Sequence, residues 1–198
     1  IPESVYNSNA IENSTLTLKE TEKILLDLEV SRDVNVREVF EAKNLARVMA
    51  FVRENVADTE LTKELMLLLH EMLLTGINDS LAGRFRGPHE YVRVGTYVAP
   101  APEQVERMLE SILAEDAADH ETYAPDKVAR FHLDFETIHP FNDGNGRIGR
   151  VVMNYQLKQL GYPPIIIRDK EKRTYYDAFL EYREGPKSPK AMEKVLTL

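Results

Sequence analysis

The chain contains no cysteine, which removes disulfides, thiol nucleophiles and thiolate metal sites at once. It also lacks any run near the roughly 20 apolar residues that cross a bilayer, so no membrane partner is expected. A basic, apolar leader is missing too, and secretion is unsupported. The first residue is Ile1 rather than Met, which leaves open what precedes it. Positive charge is scarce: 25 basic residues face 33 acidic ones, for a net charge of −8. A general nucleic-acid binder rests its affinity on neutralising phosphates, so no nucleic-acid partner is expected. A small phosphorylated ligand needs only local positive charge and stays open. Repeats, low-complexity tracts and linkers are absent as well.

What is present is a globular profile of 198 residues, 43% hydrophobic and 29% charged, enough for one domain with a sizeable core. Residues 1–16 are polar, rich in Asn and Ser, with little periodicity. Thr17 and Glu20 have capping-box spacing, and LKETEKILLDLEV, residues 18–30, reads as a helix. Asn35 and Glu38 repeat that spacing ahead of VFEAKNLARVMAFVREN. Leu61, Leu65, Leu68 and Met72 recur at helical spacing, and Gly76 is placed to end that helix. Six Gly and Pro residues then break up GRFRGPHEYVRVGTYVAPAP, where YVRVGTYV reads as a short hairpin with Gly95 in or near its turn. Helices resume at Val105, Met108, Leu109, Ile112 and Leu113. Another, with Val128, Phe131, Phe135 and Ile138 on one face, runs from about 126 to 138. A helix with Ile148, Val151, Val152 and Tyr155 is stopped by GYPP, and two more cover about 170–184 and 188–197. The expected fold is one mainly α domain over 1–198, a helical bundle with one short β-hairpin.

The chemistry concentrates in IHPFNDGNGRIGR, Ile138 to Arg150. Pro140 disfavours helical geometry at His139 and so ends the preceding helix, leaving the imidazole free to face a cleft. Gly144 and Gly146 permit positive φ, so that successive backbone N–H groups converge on an anion. A helix beginning near Gly146 aims its positive dipole end at the same spot. Arg147 and Arg150 lie on neighbouring turns and can grip one polyphosphate. Asp143 would repel that phosphate unless a Mg²⁺ ion bridges the two. An imidazole, with an ordinary pKa of about 6.5, is the natural general base. Base, metal ligand, anion nest and phosphate clamp together read as a nucleotide site.

HPFNDGNGRIGR also resembles, position for position, the HPFx[D/E]GNGRxxR signature of the Fic family. The likeness extends to GRFRG, YVRVG and YVAPAPEQVERML upstream, to HLDFETIHPF, and to RTYYDAFLEY downstream, about residues 70–182. It implies an all-helical Fic fold whose hairpin, at Val92, Arg93, Val94 and Gly95, is a flap that docks the target's backbone. It implies transfer of AMP from ATP to a Ser, Thr or Tyr hydroxyl of a protein, possession of Mg²⁺ as cofactor, and a homodimer. His139 would then deprotonate the hydroxyl, and Asp143 would hold Mg²⁺. Asn142, Gly144, Asn145 and Gly146 would bind the phosphates with Arg147 and Arg150, while Phe141 anchors the loop. Tyr175 or Tyr176 would lie against adenine. A phosphate-transferring branch of the family has Ala and Lys at the positions of Gly144 and Gly146, so these glycines favour nucleotidyl transfer. Some relatives hold adenine with an Asn where this chain has Arg183. The need for ATP and the missing signals make the cytoplasm the default location.

SNAIEN, Ser8 to Asn13, is similar to the family's [S/T]xxxE[G/N] inhibitory motif, placed as in its class II, within a segment of about 5–16. The resemblance implies that Glu12 pairs with Arg150 and misplaces the γ-phosphate. In one class II branch the equivalent Glu also removes AMP from the target, so a de-AMPylating phosphodiesterase is an alternative. A non-enzymatic nucleotide-binding module is another. His132, Glu136 and His139 could also be read as a metal triad with Asp143, although a His132 packed and satisfied by backbone is the plainer reading. His70 and Glu71 read as helix surface, and Arg84, Arg86 and Arg93 as solvated charges.

Overall fold

Thr17 accepts from the Glu20 N–H while the Glu20 carboxylate takes the Thr17 N–H, closing the capping box that the spacing predicts. The computed structural model describes residues 1–30, 33–57 and 59–185. Helix α2 (Leu18–Glu22) starts at that box but stops early: one wider turn, Lys23–Asp27, follows, and Leu28 turns left-handed at φ 57°. Leu26 and Leu28 are exposed, so no packing extends the helix towards Val30. Helices α3 (Val36–Asn55) and α4 (Lys63–Leu74) both begin on side-chain caps, Asn35 and Thr62. Gly76, at φ +74°, lies just beyond the end of α4, as expected.

The hairpin pairs β1 (Arg93–Val94) with β2 (Tyr97–Val98), Arg93 opposite Val98 and Val94 opposite Tyr97, with Gly95 at φ +60° in the turn. Then come α5 (Val105–Ala118), α6 (Ala124–Ile138), α7 (Asn145–Gln159) and α8 (Lys172–Glu184). The helix read at 188–197 lies outside the described residues. The fold is mainly α with one small hairpin. No described helix is long and apolar enough to cross a membrane.

The N-terminal segment departs from its reading, for Pro2–Ile11 form a helix, α1. Pro2 suits its first turn, yet the helix carries no apolar stripe. Val5 and Ile11 are fully buried, and two polar positions between them find tertiary partners: Asn7 accepts from the Asp169 N–H, and Ser8 meets Arg150. Packing, not periodicity, makes this helix.

Two apolar clusters form the interior. One gathers Leu45, Val48, Leu69, Leu73, Phe135, Phe141 and Ile148; the other gathers Ile11, Leu133, Met153, Leu157, Tyr175 and Phe179. Helices α6 and α7 contribute to both, and α7 is buried on most of its surface. The loop that joins them is therefore pinned between two packed regions.

Candidate active site

Helix α6 ends at Ile138, and His139 follows in the left-handed region, φ 51°, ψ 62°, a conformation unusual for a residue with a Cβ. Three contacts hold it there. Its N–H donates to Phe135 O at 2.8 Å, its carbonyl accepts from Arg86 Nε at 2.8 Å, and the Pro140 carbonyl accepts from the Arg86 N–H at 2.9 Å. Phe141, fully buried, stacks on His70 with ring centroids 3.8 Å apart and 8° between planes. Asn145 closes the loop by exchanging two 2.8 Å hydrogen bonds with the Phe141 backbone. Gly144 caps α7 at φ +83°, where any Cβ would also press on Leu73. The first N–H groups of α7 thus open towards a cavity of about 660 Å³, within the range of about 300–1,000 Å³ usual for small-ligand sites. His139, Asn142, Asp143, Gly144, Asn145, Gly146 and Arg150 line it.

Residues 60–157 match the sequence profile of the Fic/DOC family. A protein adenylyltransferase Fic of Nematostella vectensis is 30% identical over 192 residues, covering 93% of this chain and 44% of the relative. One of Aedes aegypti is 31% identical over 191 residues, covering 93% of this chain and 38% of the relative. This chain belongs to the Fic/DOC family. A Fic domain containing signaling protein from Bacteroides thetaiotaomicron superposes with a TM-score of 0.85 at 26% identity, covering 96% of this chain and 74% of that one. The chain spans less than half the length of the two curated relatives.

In this Fic domain Arg150 is buried and fully engaged. Its Nε donates to Ser8 Oγ at 2.9 Å, and its Nη2 donates to Ser8 O at 2.9 Å and to Glu12 Oε1 at 2.8 Å. Burial would push the guanidinium down, but Tyr175 and Glu12 beside it hold it above its ordinary value. The Glu12 carboxylate also lies against Gly146, so that any Cβ there would collide with its Oε1. It therefore rests at the start of α7, where the helix favours an anion.

Arg147 and Arg150 do not share one cavity wall. Arg147 lines a neighbouring cavity of about 580 Å³, its Nη1 3.2 Å from Glu41 and its Nη2 3.0 Å from Asp143. Arg37 of α3 reaches Asp143 from the other side at 2.6 Å. Burial would raise the Asp143 carboxyl, but Arg147 and Arg37 hold it below the usual range. Asp143 and Glu12 line both cavities. Among the described residues no group of three or more His, Cys, Asp or Glu is arranged to hold a metal, which sets aside the metal triad.

Tyr175 and Tyr176 both border the larger cavity. Tyr175 is 1% exposed with its hydroxyl 2.9 Å from His132 Nε2, whereas Tyr176 is 36% exposed. His132 is accordingly satisfied by a tyrosine rather than by backbone at that nitrogen. Val92, Arg93, Val94 and Gly95, at the hairpin, line the same cavity. Arg183 of α8 reaches the hairpin: its guanidinium lies 3.9 Å over the Tyr97 ring and donates to Glu136 O.

Two site-building residues contradict their sequence reading. Arg86 is 4% exposed, not solvated, and donates to the carbonyls of His139, Ile138, Glu90 and Pro100. His70 is fully buried, not helix surface. Its Nδ1 accepts from the Gly83 N–H, so Nε2 carries the proton and donates to Asp143 O at 3.0 Å. Burial lowers its pKa to about 4. Neither has a local signal, because each acts on backbone far along the chain.

Proposed function

We propose that this protein transfers AMP from ATP to a Ser, Thr or Tyr hydroxyl of a target protein or of itself, and that Glu12 restrains it. The observation that carries this reading is the cavity shared by His139, the first N–H groups of α7, and Arg150 with Glu12 upon it. The two adenylyltransferase relatives support the same chemistry.

With ATP in the cavity, His139 takes the proton of the target hydroxyl. The freed oxygen forms a bond to the α-phosphorus as the bond to pyrophosphate breaks. Backbone N–H groups at Gly144, Asn145 and Gly146, unpaired at a helix start, hold the charge that develops. Asn142 lies beside them on the nucleotide. Arg150 and Arg147 clamp the outer phosphates, each after leaving its present carboxylate. Tyr176, the more exposed of the pair, takes the base face, and Val92–Gly95 dock the target backbone. Glu12 inhibits because carboxylate and phosphate compete for one guanidinium fork.

Asp143 is the residue that would hold Mg²⁺. Its carboxylate is one-third exposed between the two cavities and lies among arginines rather than other acids. That donor set fits an ion that arrives with the nucleotide, since Mg²⁺ takes one carboxylate plus phosphate oxygens and water. When bound, the ion neutralises phosphate charge.

Incubation with ATP labelled at the α- or the γ-phosphate tests the proposal, with label on protein from the α position expected. Label from γ alone would overturn it in favour of phosphoryl transfer. Release of AMP from a modified target, lost in Glu12→Gly, would favour the phosphodiesterase. Nucleotide binding without any covalent product, even in Glu12→Gly, would point to a binding module.

A further inference from the structure

Glu136 is a buried carboxylate that the reaction above does not use. It sits on α6 one turn before His139 and is 5% exposed. Its Oε2 lies 3.6 Å from His139 Nδ1. Glu136 Oε1 and His139 Nδ1 are both buried and, among the described residues, neither has a hydrogen-bond partner. Helix α7 makes room for this carboxylate: a Cβ on Gly149 would fall 2.6 Å from Glu136 Oε1 and 3.0 Å from His132 Cε1. Burial would raise the Glu136 carboxyl, but His139, His132 and Arg150 around it hold it below its ordinary value. A buried, ionised carboxylate costs folding energy unless something faces it, and what its Oε2 faces is the inner edge of His139.

We propose that Glu136 is the positioning residue for His139, engaging the imidazole through Nδ1 so that Nε2 is left to receive the target's proton. The inference rests on His139 as the base of AMP transfer. At rest Nδ1 carries the ring proton and points it at the carboxylate. During transfer the hydroxyl proton passes to Nε2, the hydroxyl oxygen bonds to the α-phosphorus, and pyrophosphate departs with the electron pair of the broken bond. The ring is then an imidazolium with both nitrogens protonated, and its positive charge faces Glu136, both side chains being mostly buried. The 3.6 Å separation shortens at that stage, as catalytic hydrogen bonds do when charge develops. Oriented this way, a carboxylate fixes both tautomer and ring angle without itself taking the proton. His132 does not compete for the role, because its Nε2 is committed to the Tyr175 hydroxyl.

Two measurements test this. Nitrogen NMR of the unsubstituted protein with ¹⁵N-labelled histidine should find His139 as the Nδ1–H tautomer. An Nε2–H tautomer overturns the proposal whatever any variant does. Separately, Glu136→Gln fills the same volume without charge. In the Glu12→Gly background it should lower kcat for AMP transfer by at least roughly 10-fold and up to about 10⁴-fold, the range for a catalytic imidazole that loses its carboxylate, with KM for ATP unchanged. A carboxylate that served only packing would tolerate Gln, so an unchanged kcat overturns the proposal. If neither the unsubstituted nor the Glu12→Gly protein transfers AMP, it is the proposed function that fails, and the tautomer measurement still decides the Glu136 contact.

Discussion

Arg150 is a buried cation whose fork is filled by Ser8, Glu12 and Tyr175. Leaving such a charge without partners is costly, so its neighbours have a structural role. Glu12 supplies the smaller share of that support, because its side chain is about one-third exposed and such pairs contribute about 0–1 kcal/mol. Glu12→Gly should therefore lower unfolding stability by about 1 kcal/mol or less in a denaturant titration. Arg86 is the opposite case, since its loss strands four carbonyls near the loop. Arg86→Ala should cost on the order of 3 kcal/mol or more by the same measurement. That His139, Asp143 and Arg150 come together around one cavity was legible in sequence, because they are neighbours in the chain, whereas Arg147 turns to the second cavity. Arg86 and His70 were not legible, because the loop carbonyls they hold, those of Ile138, His139 and Asp143, lie more than 50 residues away and residue type alone does not reveal a backbone partner.

At the scale of elements, the joint between α6 and α7 depends on two glycines for different reasons. Gly144 supplies a positive φ, whereas Gly149 is an ordinary helical residue that supplies space. Helix propensity alone would favour Ala at Gly149 by about 1 kcal/mol. The Cβ would instead meet Glu136 and His132, so Gly149→Ala should destabilise by about 1–3 kcal/mol, read from the urea midpoint. A gain in stability would show that the interior yields there. Helices α3 to α8 and the hairpin were legible because apolar spacing, caps and glycines agree. Helix α1 was not, since Asn7 and Ser8 are buried on tertiary partners and leave no apolar stripe to read. The reading of 18–30 as one helix failed for the converse reason: its leucines resemble a stripe, yet Leu26 and Leu28 are mostly exposed.

The whole molecule brings its N-terminal helix against α7, through Ser8 and Glu12 on Arg150. His132, on α6 against Tyr175 of α8, is buried, and burial lowers its pKa to about 4. In the unfolded chain a histidine titrates near 6.5. Between those values the unfolded state binds the extra proton, so stability is complete above about pH 6.5 and declines as pH falls towards about 4. Melting temperature measured across that window should drop, and His132→Leu should lessen the decline without abolishing it, because burial lowers His70 to about 4 as well. The central claim is that α1 holds a competent transferase silent through one carboxylate, Glu12. The direct measurement is self-labelling from α-labelled ATP with Mg²⁺, resolved on a gel, for the unsubstituted protein, Glu12→Gly, and Glu12→Gly with His139→Ala. Strong label in Glu12→Gly, little in the unsubstituted protein and none in the double variant is the predicted result. Equal label with and without Glu12, or label that persists without His139, would contradict it.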